Sequence, residues 1–248
     1  MSYIFTVSPD FSPDHISGWY IFNTWLQKHT DLAIHLEMYN NFHSQRSAIQ
    51  NDSIDLIYAN PYDAAILVRD KGFRPLTKPR GCCDEVIVAT SINSPVQDIA
   101  NLQPGIKVAT TEDPDVNMIG MIMLESADLN AANIELKTSD SYVLVAKHLL
   151  RDDSDVGFFL AEAFDDLSTL IKNQLRILVR SQISVIHHSL MLGPKLADQH
   201  DLISRLLLDM DADEKNREVL SSLGFTGWDK VEDEEMEFMI DLMDTLKV

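Results

Sequence analysis

The feature that most constrains the fold is a regular alternation of short β-rich segments with amphipathic helical segments. Turn-forming residues such as Ser8-Pro9-Asp10 and Asn60-Pro61 separate the two kinds of segment. The spacing of apolar residues predicts strands at 3–8, 32–38 and 54–58 and helices at 16–26, 44–51 and 62–70. Because strands that alternate with helices usually pair in parallel, this region predicts a sheet with helices on its faces.

A second series of strands and helices follows between about residues 105 and 180, and helices return at the end of the chain. The pattern predicts further strands at 73–77, 85–90, 106–110, 134–137, 155–159, 175–180 and 183–187. It also predicts a helical stretch at 162–171 and three terminal helices, of which the first ends at 208 and the others span 213–223 and 232–246. The two series predict an α/β fold with two lobes, residues 1–87 plus 186–248 and residues 88–185, joined by extended hinge segments. Such a fold places its ligand in a cleft at the carboxyl ends of the strands.

The charge of the chain excludes several classes of partner. It has 248 residues and a formal net charge of −19, which repels phosphate backbones and anionic headgroups. We therefore expect no nucleic acid partner. Because no apolar run approaches the ~18–20 residues that a bilayer-spanning helix needs, we also expect no membrane insertion. From Asp209 to the end there are 13 acidic and 4 basic residues. This charge favours a solvated helical face, and the second interpretation is a docking surface for a protein partner.

The N-terminal residues and the cysteines bear on localisation. Residues 1–7 lack the basic and apolar regions of a secretory signal, so the chain as written is predicted to be cytoplasmic. A signal that had been removed would leave the same sequence and a periplasmic protein. The two cysteines, Cys82 and Cys83, are neighbours and cannot form an ordinary disulfide without severe strain.

Several phrases in the sequence resemble those of phosphate-, phosphite- and phosphonate-type solute-binding proteins of ABC transporters. Residues 54–65, IDLIYANPYDAA, resemble that family's segment I-D-L-A-x-x-G-P, and residues 99–109 are similar to L-x-D-L-K-G-K-x-V-A-F. Weaker similarities lie at residues 85–89, 111–114, 155–158 and 220–225. The resemblance extends over nearly the whole chain and implies a type 2 periplasmic-binding-protein fold with two α/β lobes, a hinge and a ligand cleft.

The chain departs from this family at the turn that holds the anion. The family has a Ser-Thr-Ser-Gly-like sequence at a helix N-terminus, where hydroxyl and backbone N–H groups bind an oxyanion. Here residues 115–120 read DVNMIG, so the hydroxyls are missing and a carboxylate is present. We expect Asp115, together with Asn117, to cap this helix and to occupy the position of the anion. The sequence therefore predicts a cationic, neutral or polar ligand, or no ligand, rather than a phosphate-class dianion.

Other reactive side chains give weaker indications. Vicinal thiols at 82 and 83 are either two reduced surface cysteines or a clamp for a soft ion. His43 with Asp84, or Glu162 with Asp115, would be the acid–base pair of an enzyme, but nothing in their spacing requires it. Because the sequence contains no catalytic, nucleotide-binding or zinc-binding motif, we expect no enzyme activity, no cofactor and no metal.

These observations favour non-enzymatic binding of a small-molecule ligand in the cleft between the lobes. The alternatives are an intracellular sensor or interaction protein with the same fold, docking through its acidic C-terminal helices, and an enzyme that converts a bound molecule. The residues predicted to line the cleft are Pro9, Phe42, His43, Asn60, Tyr62, Asp84, Thr111, Asp115, Asn117, Phe159 and Glu162.

Overall fold

The computed structural model describes residues 2–11 and 13–245, and these form two compact units. Unit 1 runs up to Cys83 and resumes at Val185, and unit 2 is Asp84–Ser184. Each unit has its own sheet and its own core. The last predicted helical residue, 246, lies outside the described residues.

Strands and helices alternate through most of the described chain. The strands are β1 (Tyr3–Val7), β2 (Ile34–Leu36), β3 (Leu56–Ala59), β4 (Arg74–Pro79), β5 (Val86–Ser91), β6 (Lys107–Thr110), β7 (Glu135–Thr138), β8 (Val156–Leu160), β9 (Leu175–Arg180), β10 (Ser189–Leu192) and β11 (Trp228–Asp229). The α-helices are α1 (Ile16–Thr30), α2 (Phe42–Gln50), α3 (Pro61–Lys71), α4 (Pro114–Leu124), α5 (Tyr142–Leu150), α6 (Ala161–Asp165), α7 (Thr169–Lys172), α8 (His200–Leu208), α9 (Glu214–Ser222) and α10 (Asp233–Thr245). This mixed α/β architecture confirms the predicted fold class.

Unit 1 contains a six-stranded sheet in the order β11-β4-β10-β3-β1-β2. Strands β1, β2 and β3 are parallel, whereas β10 runs antiparallel to β3 and β4. Of the apolar residues at helical spacing on α1, Trp19, Phe22 and Leu26 are buried against this sheet, whereas Ile16 and Tyr20 are exposed. Gly18 lets α1 approach α9 closely: a Cβ at this position would lie 2.0 Å from the carbonyl oxygen of Ser222.

Unit 2 contains a five-stranded sheet in the order β7-β6-β8-β5-β9. Strands β6, β7 and β8 are parallel, and β5 runs antiparallel to β8 and β9. Helices α4 and α5 pack on this sheet and cover its central strands. In both units, loops that bear polar residues therefore follow the carboxyl ends of the parallel strands.

The structure corrects two secondary-structure predictions. Residues 183–187 do not form a strand, because the Glu85 carboxylate accepts hydrogen bonds from the backbone N–H groups of Ile183 (3.1 Å) and Ser184 (2.8 Å). A strand ladder would need those donors, and the strand begins only at β10. The predicted helical stretch at 162–171 is divided into α6 and α7, because Ser168 starts a new helix by accepting a hydrogen bond from the Ile171 N–H.

Candidate functional site

In unit 1, buried polar side chains gather where β1 and β3 end. Asn60 follows β3, is fully buried and caps α3, since its side-chain oxygen accepts a hydrogen bond from the Asp63 N–H at 2.7 Å. Its amide nitrogen donates to the Ser8 hydroxyl (3.1 Å) and to the Asp63 carboxylate (3.0 Å). Asn60 therefore joins the ends of both strands to the start of α3.

Arg46 on α2 and Asp63 on α3 form the main ion pair at this edge. The guanidinium Nε lies 2.7 Å from Asp63 Oδ1, and the Asp63 side chain is only 2% exposed. The same guanidinium lies over the rings of Phe42 (5.1 Å) and Tyr62 (4.7 Å), which adds cation–π attraction. Burial raises the pKa of Asp63 above its ordinary value despite the opposing effect of Arg46 and Asn60. Two predicted site residues, Phe42 and Tyr62, thus hold a cation of the protein itself.

A second charged pair lies beside it in unit 1. His188 Nε2 is 3.1 Å from both carboxylate oxygens of Asp10, and the His188 ring stacks on Tyr58 with 5.2 Å between centroids. Burial acts to raise the pKa of Asp10, but the charge and hydrogen bond of His188 outweigh it and hold that pKa below its ordinary value. The Asp10 carboxylate is therefore nearly buried and has a specific histidine partner.

In unit 2, the N-terminus of α4 is closed by a carboxylate, but the residue differs from the predicted one. Asp113 is the N-cap, and its Oδ1 accepts hydrogen bonds from the backbone N–H groups of Asp115 (3.1 Å) and Val116 (3.2 Å). Its other oxygen accepts a hydrogen bond from the Tyr142 hydroxyl at 2.9 Å. The prediction that Asp115 caps α4 was wrong, because Asp115 is already the second residue of the helix and is itself buried. The donors that would bind an oxyanion are occupied by the protein.

Asn117 does not cap α4 either, and instead ties the helix to the end of β6. It accepts a hydrogen bond from the Thr110 hydroxyl (2.6 Å) and donates to the Thr111 carbonyl oxygen (2.9 Å). Its neighbours in the first turns of α4, Val116 and Met118, are buried and apolar. The turn therefore offers neither hydroxyls nor uncommitted first-turn N–H groups at residues 115 and 116 to an anion.

The other predicted site residues lie in different surroundings. His43 on α2 and Glu162 on α6 are exposed, while Pro9 and Asp84 are half-buried. Phe159 on β8 is fully buried and packs against Tyr142 and Phe164 in the core of unit 2. The surroundings of these residues do not show whether they contact a ligand, so their binding roles stay predictions.

Five residues that the structure places at these strand ends were not predicted from the sequence: Asp10, Arg46, Asp63, Asp113 and His188. A usable signal existed for the acids, since Asp10 and Asp113 both follow a β-rich segment by two or three residues. Arg46 and His188 carry no comparable local signal, because their partners are distant in sequence. The Cys82 and Cys83 thiols are both exposed.

Each of the two α/β units has polar residues at the carboxyl ends of its parallel strands, which is where α/β proteins bind their ligands. A family model described as "ABC transporter, phosphonate, periplasmic substrate-binding protein" matches residues 5–236. The chain therefore belongs to this family, as the motifs in the sequence had predicted.

Solved structures confirm the fold class. PhnD1 from Prochlorococcus marinus, in complex with methylphosphonate, has a TM-score of 0.83 at 10% identity over 99% of this chain and 98% of that one. XAC2383 from Xanthomonas citri, bound to ATP, has a TM-score of 0.81 at 15% identity over 99% and 98%. The periplasmic aliphatic sulphonate-binding protein SsuA from Escherichia coli has a TM-score of 0.72 at 13% identity over 99% and 86%. A search of curated proteins found no match.

Family membership also bears on where the protein works. The family is periplasmic, so the comparisons do not support the prediction of a cytoplasmic protein. Within residues 2–11 and 13–245, no helix has the length and apolar character needed to cross a bilayer.

Proposed function

We propose that this protein binds a small polar solute that is neutral or cationic, without converting it, as the periplasmic binding component of a transport system. The polar cluster at the strand ends of unit 2, around Asp113 and Asn117, supplies ligand-binding side chains. The observation that supports the ligand class is the cap of α4, where the Asp113 carboxylate occupies backbone donors suited to an oxyanion.

Electrostatics favours the same ligand class. Asp113 and Asp115 are 4% and 3% exposed, so an incoming dianion would meet negative charge where solvent screens it weakly. In unit 1, the charge of Arg46 is directed to Asp63 and His188 is directed to Asp10. A cationic or neutral polar group meets no such repulsion.

Thermal unfolding with a ligand panel tests this proposal. We expect methylphosphonate, phosphate and methanesulfonate to leave the melting temperature unchanged, and at least one of ethanolamine, choline or glycerol to raise it. A ligand at about 100 times its Kd stabilises the folded state by about 2.7 kcal/mol, which is readily measured. A rise in melting temperature with methylphosphonate alone would refute the proposed ligand class.

Two variants with the same change in charge assign any anion binding to α4. Asp113→Ala removes the capping carboxylate and frees the N–H groups of Asp115 and Val116, whereas Glu112→Ala removes an exposed carboxylate next to it. We expect only Asp113→Ala to gain measurable affinity for methanesulfonate by calorimetry. Equal gains in both variants would show that net charge, and not the cap, excludes anions.

A second proposal concerns the outer face of α10, where Phe238 is 48% exposed between the exposed acids Glu234, Glu237 and Asp241. An aromatic side chain surrounded by acids suits a basic protein partner. A photo-crosslinking residue at position 238, with one at the exposed Leu170 of unit 2 as the control, tests this in intact cells. A discrete crosslinked protein from position 238 only is the expected result, and equal products from both positions would refute it.

A further inference from the structure

A groove on the surface of unit 1 lies between α1, α8 and the first turn of α9. It has a volume of about 170 Å³, which is below the ~300–1,000 Å³ that is typical for drug-sized ligands. The indole of Trp25, only 6% exposed, forms its floor, and Leu202 and Leu206 on α8 form an apolar wall. The groove therefore suits the apolar part of a small molecule.

The floor of the groove is held in place by the protein itself. The Trp25 indole N–H donates a hydrogen bond to Asn216 Oδ1 at 2.8 Å. The His29 ring stacks on Trp25 with 4.4 Å between centroids, and its Nδ1 donates to the Trp25 carbonyl oxygen at 2.8 Å. Because these contacts fix the indole, a ligand would bind to a preorganised surface.

Two opposite charges line the same groove without pairing with each other. Arg205 lies in the last turn of α8 and Asp209 is its C-cap, four residues later. Across the part of the chain that the structure describes, neither side chain makes a hydrogen bond or an ion pair. Arg80 in the same unit, by contrast, pairs with both Asp211 and Asp229.

We propose that this groove binds an apolar α-amino acid as a zwitterion. The Arg205 guanidinium donates hydrogen bonds to the ligand carboxylate, and the Asp209 carboxylate accepts them from the ligand ammonium group. The apolar side chain of the ligand packs on Trp25, Leu202 and Leu206. The C-terminal end of α8 adds negative potential where the ammonium group lies, and a zwitterion brings no net charge to a protein of −19.

Tryptophan fluorescence titration with three matched probes tests this site. The probes are L-phenylalanine, 3-phenylpropionate, which lacks the ammonium group, and phenethylamine, which lacks the carboxylate. We expect phenylalanine to change the fluorescence saturably and to bind at least about tenfold more tightly than either analogue, since each analogue loses one charge-assisted contact. Trp19 and Trp228 are each 1% exposed, so a Trp25→Phe variant should lose the signal while calorimetry still detects binding.

Variants assign each ligand group to its partner. Arg205→Gln should lower the affinity for phenylalanine to that of phenethylamine, and Asp209→Asn should lower it to that of 3-phenylpropionate. The control is Arg74→Gln, which removes an exposed arginine on β4 outside the groove and should leave all three affinities unchanged.

Three results would overturn the assignment. They are no saturable binding of phenylalanine by fluorescence and calorimetry, equal affinity for the three probes, or phenylalanine binding that survives Arg205→Gln unchanged. The proposed solute site is tested independently, because Asp113→Ala alters unit 2 and should leave the phenylalanine titration unaffected.

Discussion

Removal of the Asp113 carboxylate should destabilise unit 2 by an amount that can be worked out from its hydrogen bonds. Asp113→Ala deletes the cap that accepts the N–H groups of Asp115 and Val116, and an N-cap contributes about 0.5–2 kcal/mol. It also deletes the 2.9 Å hydrogen bond from the Tyr142 hydroxyl, and hydrogen bonds to charged groups contribute about 1.5–3 kcal/mol. We expect the free energy of unfolding to fall by about 2–5 kcal/mol.

Urea unfolding followed by far-ultraviolet circular dichroism is the appropriate assay. All three tryptophans, Trp19, Trp25 and Trp228, lie in unit 1, so tryptophan fluorescence would report on the wrong unit. Asp113→Asn is the matched comparison, because asparagine caps helices about as well as aspartate but its amide nitrogen cannot accept the hydrogen bond from Tyr142. We expect this variant to lose about 1.5–3 kcal/mol, the contribution of the Tyr142 hydrogen bond alone.

A double-mutant cycle with Tyr142→Phe separates the two contributions. Residues in one hydrogen-bond network show coupling energies of about 0.5–3 kcal/mol, so the double variant should be less destabilised than the sum of the single variants. Coupling near zero, or an Asp113→Ala variant as stable as Asp113→Asn, would show that Asp113 does not organise the start of α4.

Further predictions concern helix packing and pH. Gly18→Ala should destabilise unit 1 by about 1–3 kcal/mol, because the new methyl group would clash with the Ser222 carbonyl oxygen. The control is Ser17→Ala at an exposed neighbouring position, which should change stability by less than about 0.5 kcal/mol. Thermal unfolding measures both variants, and equal effects would contradict the close approach of α1 and α9. The lowered pKa of Asp10 means that its interaction with His188 stabilises the protein above the ordinary value of 3.8 and is lost as the pH falls below it. Asp10→Asn should therefore be less stable than the unsubstituted protein near neutral pH and should lose less stability as the pH falls, as measured by urea unfolding. If both proteins lost the same stability between neutral and acidic pH, this role of Asp10 would be excluded.

Much of the fold could be predicted from the sequence because it depends on local patterns. The helical spacing of Trp19 and Phe22 and the turn at Asn60-Pro61 identify α1, β3 and α3, since apolar periodicity and capping act within a few residues. The error at 183–187 has a different cause. The segment is β-rich, but its N–H groups bond to Glu85, about a hundred residues away, and such a partner cannot be read from local sequence.

The candidate site was less predictable for the same reason. The sequence shows that the turn at 115–120 lacks the hydroxyl residues of the family's anion-binding turn and that a carboxylate lies at the start of the helix. Which carboxylate caps α4 depends on where the helix begins, and Pro114 at its first position makes Asp113 the cap. The ion pairs of Arg46 and His188 join residues that meet only after the sheet of unit 1 has formed.

The caps of α3 and α4 have a consequence for altering which solute this protein accepts. Asn60 and Asp113 each begin a helix and also stand among the polar groups proposed to meet the ligand. A substitution that changes ligand selectivity at either position also removes the N-cap of a helix and so lowers stability. Variants that bind a different solute should therefore arise only together with stabilising changes elsewhere in the same unit.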